Sequence, residues 1–368
     1  MEQELNRRET ALHLNVSTLL VIIFWGVQMG AKGFAIDTTN SVYRIISIAL
    51  VPIAMLKIIF FRYQIKNIIF SLGITLLTVC IAFTNSSTRE LIIALSIITF
   101  KDIKIDEIMK MTFYVRGGAF LLRIFLCFVG KFDLEQNALG ECAFGFGHSN
   151  LAHGEFFAIF SSFVLWKLNK IRFYQLVLLN LANITLFIFT QSKTPFILIF
   201  MLSFLVMFRD VNKYQKFLKF AVPKAYVSLT VLTILMSLFY YQLPYRPHNT
   251  FFSRFQTAFY MFRFYPINLF GNDVNFLNDL GYVDILFTSG IPWFLFFVIG
   301  HTALGGYFAK RSNWVILSYL LIISVYFTME AYAESVLYNY CWLYYTVLLF
   351  HKDSLVEKLC PWLIKEML

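Results

Sequence analysis

Charge is what this chain has least of. Only 14% of its 368 residues are Asp, Glu, Lys or Arg, and acids number 21 against 31 bases; a soluble domain carries about 25% charged residues. Paired carboxylates of the kind a divalent cation needs are missing from the first outer gap, where Asp37 stands alone. The five cysteines, Cys80, Cys127, Cys142, Cys341 and Cys360, are scattered and form neither a disulfide framework nor a metal motif. No internal repeat is visible. The opening MEQELNRRET leads into an apolar segment without a small-residue cleavage pattern and reads as an uncleaved first span.

What the chain has instead is apolar length. It is 59% hydrophobic, with mean hydropathy +0.67, against about 45–50% apolar residues in soluble domains. A hydrocarbon core of about 30 Å takes about 20 helical residues, and backbone in lipid must bond internally. The runs are solidly apolar rather than alternating, which argues against a barrel. The reading is an all-α polytopic membrane bundle of about 12 spans, near 14–36, 41–61, 67–84, 88–100, 111–130, 149–166, 173–190, 194–208, 220–241, 281–308, 313–329 and 336–350, forming a single transmembrane domain over 1–368.

The gaps alternate in basic content. One set holds Arg7/Arg8, Arg62/Lys66, Lys101/Lys104/Lys110, Lys167/Lys170/Arg172, Arg209/Lys213/Lys216/Lys219 and Lys310/Arg311. The other holds only Arg89, Lys131, Lys193, Arg246, Arg254 and Arg263. The positive-inside rule places the first set and both termini in the cytoplasm. The formal charge of +10 is therefore a topology signal, and no nucleic-acid partner is read from it. Two outer gaps exceed what a turn needs: 131–148 and above all 242–280, between the ninth and tenth spans. The second is rich in aromatic residues (FFSRFQTAFYMFRFYPINLF), so it should be ordered, packed on the bundle or lying in the interface as a short helix.

Candidate functional groups sit on the outer side. Thr190-Gln191-Ser192-Lys193-Thr194-Pro195 opens the eighth span with a hydroxyl before a first-turn proline, and Gly145-Phe146-Gly147-His148-Ser149-Asn150 opens the sixth. Helix N-termini with free N–H groups favour anions; ordinary capping with a snorkelling lysine is the competing reading. Arg254 and Arg263 lie among phenylalanines, and guanidinium suits phosphate. Nine residues apart on one straight helix, at about 100° per residue, they fall on opposite faces; interfacial anchoring is the alternative. Arg116 and Arg123 share a face of the fifth span about 10 Å apart. A charge at that depth is a functional hypothesis, Arg123 the stronger, while Arg116 could snorkel. Asp273, Asp279 and Asp284 flank the tenth span as caps or site residues. Glu155, near His148 and His153, is either a proton-transfer aid or a buried hydrogen-bonded carboxylate.

FGFGHSNLAHGEFF, then FIFTQSKTPFILIF, then FFSRFQTAF with INLFGNDVNFLNDLGYVDILFTSGIPWFLFF together resemble the polysaccharide repeat-unit polymerases of the Wzy type, relatives of the O-antigen ligases, over roughly residues 140–300. His148 and Asn150 match the start of one span, Arg254 the arginine of the large outer loop, Phe270-Gly271 its closing turn, and Asp279 with Tyr282 the re-entry. Ser149 stands where proline is common and Lys193 where arginine is common, and lysine lacks the bidentate fork. The resemblance implies a helical fold related to membrane glycosyltransferases, working in the cytoplasmic membrane of a bacterium. The implied reaction transfers a growing glycan from undecaprenyl pyrophosphate onto the next lipid-linked repeat unit, with no metal and no cofactor. Donor and acceptor are both undecaprenyl-pyrophosphate-linked glycans; membrane lipid, a chain-length regulator and a flippase are the other partners.

The roles that follow are Arg254 and His148 as catalytic residues, the first on the departing pyrophosphate and the second as general base. Lys193, Asn150, Arg123, Arg263 and Tyr282 are expected to bind substrate. A flippase for the same lipid-linked sugar is the rival from another class, although it should show two halves with matching broken spans. An O-antigen-type ligase shares the same motifs. A scaffold protein would leave the outer cations without a purpose.

Overall fold

The computed structural model describes residues 19–36, 45, 51–53, 56, 65–101, 103–137, 140–242, 250–274 and 279–350. The helices are α1 (Leu19–Gly33), α2 (Ile65–Asn85), α3 (Arg89–Thr99), α4 (Ile105–Phe128), α5 (Ser149–Lys167), α6 (Phe173–Thr190), α7 (Lys193–Met207), α8 (Asn212–Leu238), α9 (Thr250–Phe264), α10 (Gly281–Thr288), α11 (Gly290–Lys310), α12 (Trp314–Tyr326) and α13 (Cys341–Phe350). Beyond an isolated bridge between Gln136 and Cys142, no strand occurs among the described residues. The all-helical expectation holds at this level.

The number of spans does not follow so directly. Among the described residues five helices are long and apolar enough to cross a membrane: α4, α6, α8, α11 and Asn67–Asn85 of α2. The expected span 41–61 lies largely outside the described residues, as do both termini. The expected span 281–308 is two helices, broken at Ser289 and Gly290. The expected spans 313–329 and 336–350 are helical only over 13 and 10 residues, about 20 and 15 Å at 1.5 Å per residue. The gap between them, 327–340, is mostly buried chain without an α-helix, holding one 3-10 turn at Ala331–Glu334.

Non-helical backbone survives in such a place only when its polar groups are satisfied within the protein, and several of this segment's backbone groups are paired. Glu330 N–H donates to Tyr326 O at 2.9 Å and Asn339 N–H to Ser335 O at 2.8 Å. Tyr319 Oη accepts from Tyr340 N–H at 2.9 Å, and Trp342 Nε1 donates to Glu334 O at 2.8 Å.

Burial patterns fix each helix in the bundle. α5 is buried at Ser149 and from Ala152 to Leu165 without interruption, as a helix surrounded by others must be. α6 buries only Leu176, Asn183, Leu186 and Thr190, a single stripe at helical spacing, and leaves Leu178, Leu181 and Ile188 exposed as a lipid-facing surface. α12 runs antiparallel to α5: Ile316 shares a cavity with Leu165 and Leu168, and Tyr326 meets Phe157 edge to face with ring centroids 4.9 Å apart. The 327–340 segment therefore emerges toward the end of the bundle where α5 begins.

Segment 265–274 seals the α10–α11 break. Asn272 N–H donates to Phe287 O at 2.9 Å, and Ile291 N–H to Asn268 O at 3.3 Å, so groups that the break would orphan are paired. Gly271 and Gly290 have φ of 81° and 80°. A Cβ on Gly290 would lie 2.2 Å from Leu269 O, and one on Gly271 1.9 Å from Thr288 O. Only glycine allows backbone to approach backbone this closely.

Candidate functional site

The gaps that the charge pattern puts on one side do meet. Ser192 Oγ donates to Asn150 Oδ1 at 2.6 Å, and Cys142 N–H donates to Phe189 O at 2.8 Å, so the starts of α5 and α7 lie together with segment 131–148. Asn85 Nδ2 donates to Thr288 O at 2.6 Å, which joins the α2–α3 turn to the α10–α11 break. On the side assigned to the cytoplasm, Arg209 Nη2 donates to Asn169 O at 3.0 Å. The Ser192, Cys142 and Arg209 bonds join chain at or next to gaps of one assigned side, whereas Thr288 lies within the expected span 281–308.

At the paired helix starts, His148 is the N-cap of α5, and its Nδ1 accepts from Asn150 N–H at 3.0 Å. That fixes the ring and leaves Nε2 at the exposed surface. Ser192 precedes α7 but does not cap it, because its hydroxyl is given to Asn150. Lys193 is exposed in the first turn of α7. A helix dipole and an ammonium therefore act on the same space. The loop before α5 is held by Glu135, whose carboxylate accepts from Gly147 N–H at 2.8 Å.

Arg254 is not the free cation that the sequence suggests. It is buried on α9, donating from Nη2 to Glu330 Oε1 at 3.0 Å and from Nη1 to Met329 O, while its Nε lies 3.3 Å from Asp279 Oδ2. Arg263 is exposed on the opposite face, as the nine-residue spacing demands on a helix covering Thr250–Phe264. It cannot share a ligand with Arg254.

The other residues singled out serve mainly to hold the fold. Tyr282 is fully buried, with its hydroxyl donating to Ser324 O at 2.9 Å; it is a core residue and not a substrate ligand. Arg123 donates to Phe144 O at 3.1 Å and lies over the Phe132 ring at 4.0 Å, binding the end of α4 to segment 131–148. Gly145 makes room for it, since a Cβ there would fall 1.6 Å from Arg123 Nη2. Arg116 does not snorkel: it is fully buried, forked onto Glu155 with Nη2 donating to Oε2 at 2.7 Å. It also donates to Tyr340 Oη at 2.9 Å and to Leu337 O. Glu155 is thus the buried, bonded carboxylate of the two readings given for it.

A second ionic cluster was not legible beforehand. Arg89 Nη1 lies 2.6 Å from Glu334 Oε2 and 3.4 Å from Asp284 Oδ2, and Nη2 lies 2.9 Å from Glu90 Oε1. Ser289 Oγ donates to Glu90 Oε1 at 2.6 Å. Burial pushes the Glu334 carboxyl well above its usual range, with Arg89 opposing and Asp284 and Glu90 adding to the rise. Glu330 and Glu334 thus place one carboxyl on each of two arginines from a single turn. The signal was present in the sequence as two glutamates four residues apart in a gap of a chain that spares acids. No family model matches this chain, and neither a curated protein nor a solved structure matches it.

Proposed function

We propose that this membrane protein polymerises lipid-linked oligosaccharide repeat units at the outer face of the cytoplasmic membrane. In the proposed step an acceptor hydroxyl attacks the anomeric carbon of the glycan on undecaprenyl pyrophosphate, and the carbon–oxygen bond to the diphosphate breaks. The observation that carries this reading is the Ser192–Asn150 bond. It sets two helix N-termini side by side, with Lys193 and His148 both exposed, at the end of the bundle toward which the 327–340 segment and its two arginine clusters emerge. An anionic, lipid-borne group near the headgroups is the ligand such a surface favours. Preorganised cations facing developing negative charge on the leaving group are often worth several kcal/mol, and Lys193 is the one most open to it. With Nδ1 accepting from Asn150 N–H, the neutral His148 ring carries its proton on Nε2, so it faces an anionic oxygen as a donor, and the general-base role expected for it requires that Nδ1 bond to be released first.

A deletion strain tests the reading. The expected result is loss of the glycan ladder with single repeat units accumulating outside the membrane; units trapped inside would mean a flippase, and intact polymer left unattached would mean a ligase. Restoring the gene with Arg254→Ala or Arg254→Lys should leave the ladder short or absent. Full-length polymer from both variants would remove Arg254 from the reaction.

A further inference from the structure

We infer that Glu330 and Asp279 guard Arg254, and that a lipid-borne diphosphate reaches it by displacing Asp279 while Glu330 takes up a proton. This rests on the reading above that the substrate is a lipid-linked diphosphate. Arg254 is 8% exposed, and its fork is already engaged, Nη1 on Met329 O and Nη2 on Glu330. The Nε edge differs. It faces Asp279 at 3.3 Å and is buried without a hydrogen bond, so the contact is Coulombic only.

Of the two guarding carboxylates, Asp279 is the replaceable one: its side chain is 54% exposed and that of Glu330 4%. A phosphate oxygen at the Nε edge gains the charge-assisted bond that Asp279 does not make.

The charged groups facing Glu330 are Arg254 from α9 and Asp279 from the chain before α10. Glu334, one turn further on, faces Arg89 and Asp284 instead. Burial pushes the Glu330 carboxyl up to about 7, with Arg254 pulling it down and Asp279 pushing it up. An anion seated on Arg254 adds negative charge beside it and raises it further. Between the free value and the higher bound value, binding takes up one proton, and affinity falls about tenfold for each pH unit. Below the free value affinity is level, because Glu330 is already protonated. Glutamine at 330 keeps an oxygen for Arg254 Nη2 and carries no charge, so it should bind with the low-pH affinity throughout.

The test is calorimetric titration of the purified full chain in detergent with a farnesyl-diphosphoryl hexose, whose diester diphosphate stays a dianion throughout the range used, from about pH 6 to about pH 9. The expected result is a wild-type affinity that is flat at the acid end and falls about tenfold per unit above about 7, a flat profile for Glu330→Gln, and for Asp279→Asn a severalfold tighter profile with the step retained. An equal pH step in wild type and Glu330→Gln would overturn the inference while leaving the lipid-diphosphate reading standing. No binding by wild type at any pH would overturn both. Thermal unfolding of each variant checks its folding. Should Glu330→Gln not fold, Asp279→Asn decides, and unchanged affinity there overturns the guarding role.

Discussion

Arg116→Met is expected to cost about 3–5 kcal/mol of stability, the range for removing one partner of a buried ion pair. Both residues of the pair are fully buried, so the carboxylate of Glu155 would be left in a low-dielectric interior with no cation and no water. The loss reaches beyond the pair, because Arg116 also donates to Leu337 O and Tyr340 Oη. The same residue thereby anchors irregular chain that has few other ways to satisfy its carbonyls. Unfolding in detergent, followed by fluorescence or thermal shift, should show the loss as a large fall in midpoint. Arg116→Met combined with Glu155→Leu should recover much of it, since replacing both charges by apolar groups is often close to neutral. Recovery should stop short of wild type by about 1 kcal/mol for the orphaned Leu337 carbonyl. A single variant as stable as wild type would refute the account.

The second large effect is expected at Gly290. Gly290→Ala places a Cβ 2.2 Å from Leu269 O and 2.6 Å from Gly271 N, at φ 80°. The backbone penalty alone is about 1–2 kcal/mol, and relieving the clash pulls segment 268–272 off the helix break, with its bonds at about 1 kcal/mol each. A total of roughly 3 kcal/mol should appear as lowered thermal stability and as early protease cleavage in 265–274. Gly306→Ala, whose Cβ would meet nothing within 4 Å, is the control and should be neutral. Equal stability of the two variants would dismiss the tight approach as a cause.

The sequence announced its helices better than its site, and the reason is physical. Hydropathy reports transfer into lipid, so α4, α6 and α8 stand out as apolar runs, while the orientation rests on the basic gaps alone. Exposure of a given cation depends instead on partners distant in the chain. Arg254 looks identical on paper whether it faces water or Glu330, 76 residues away. The spacing argument separating Arg254 from Arg263 held because it needs only the helical repeat. Tyr282 is singled out by the resemblance of the Asp279–Tyr282 re-entry, and no such motif reports that the fold buries the ring and commits its hydroxyl to Ser324 O. The break at Ser289-Gly290 was hidden for the opposite reason: the residues around it are apolar enough to pass for one continuous span.

The chain is made from its N-terminus, and this gives the 327–340 segment a consequence for biogenesis. Arg89, Arg116 and Arg254 meet carboxylates made earlier, Glu90 and Asp284, Glu155 and Asp279, but each also bonds a group that is synthesised last, at Glu334, at Leu337 and Tyr340, and at Glu330. A nascent chain stalled before residue 330 consequently lacks the one short stretch that all three arginines share, and the bundle is tied together only when that last stretch arrives.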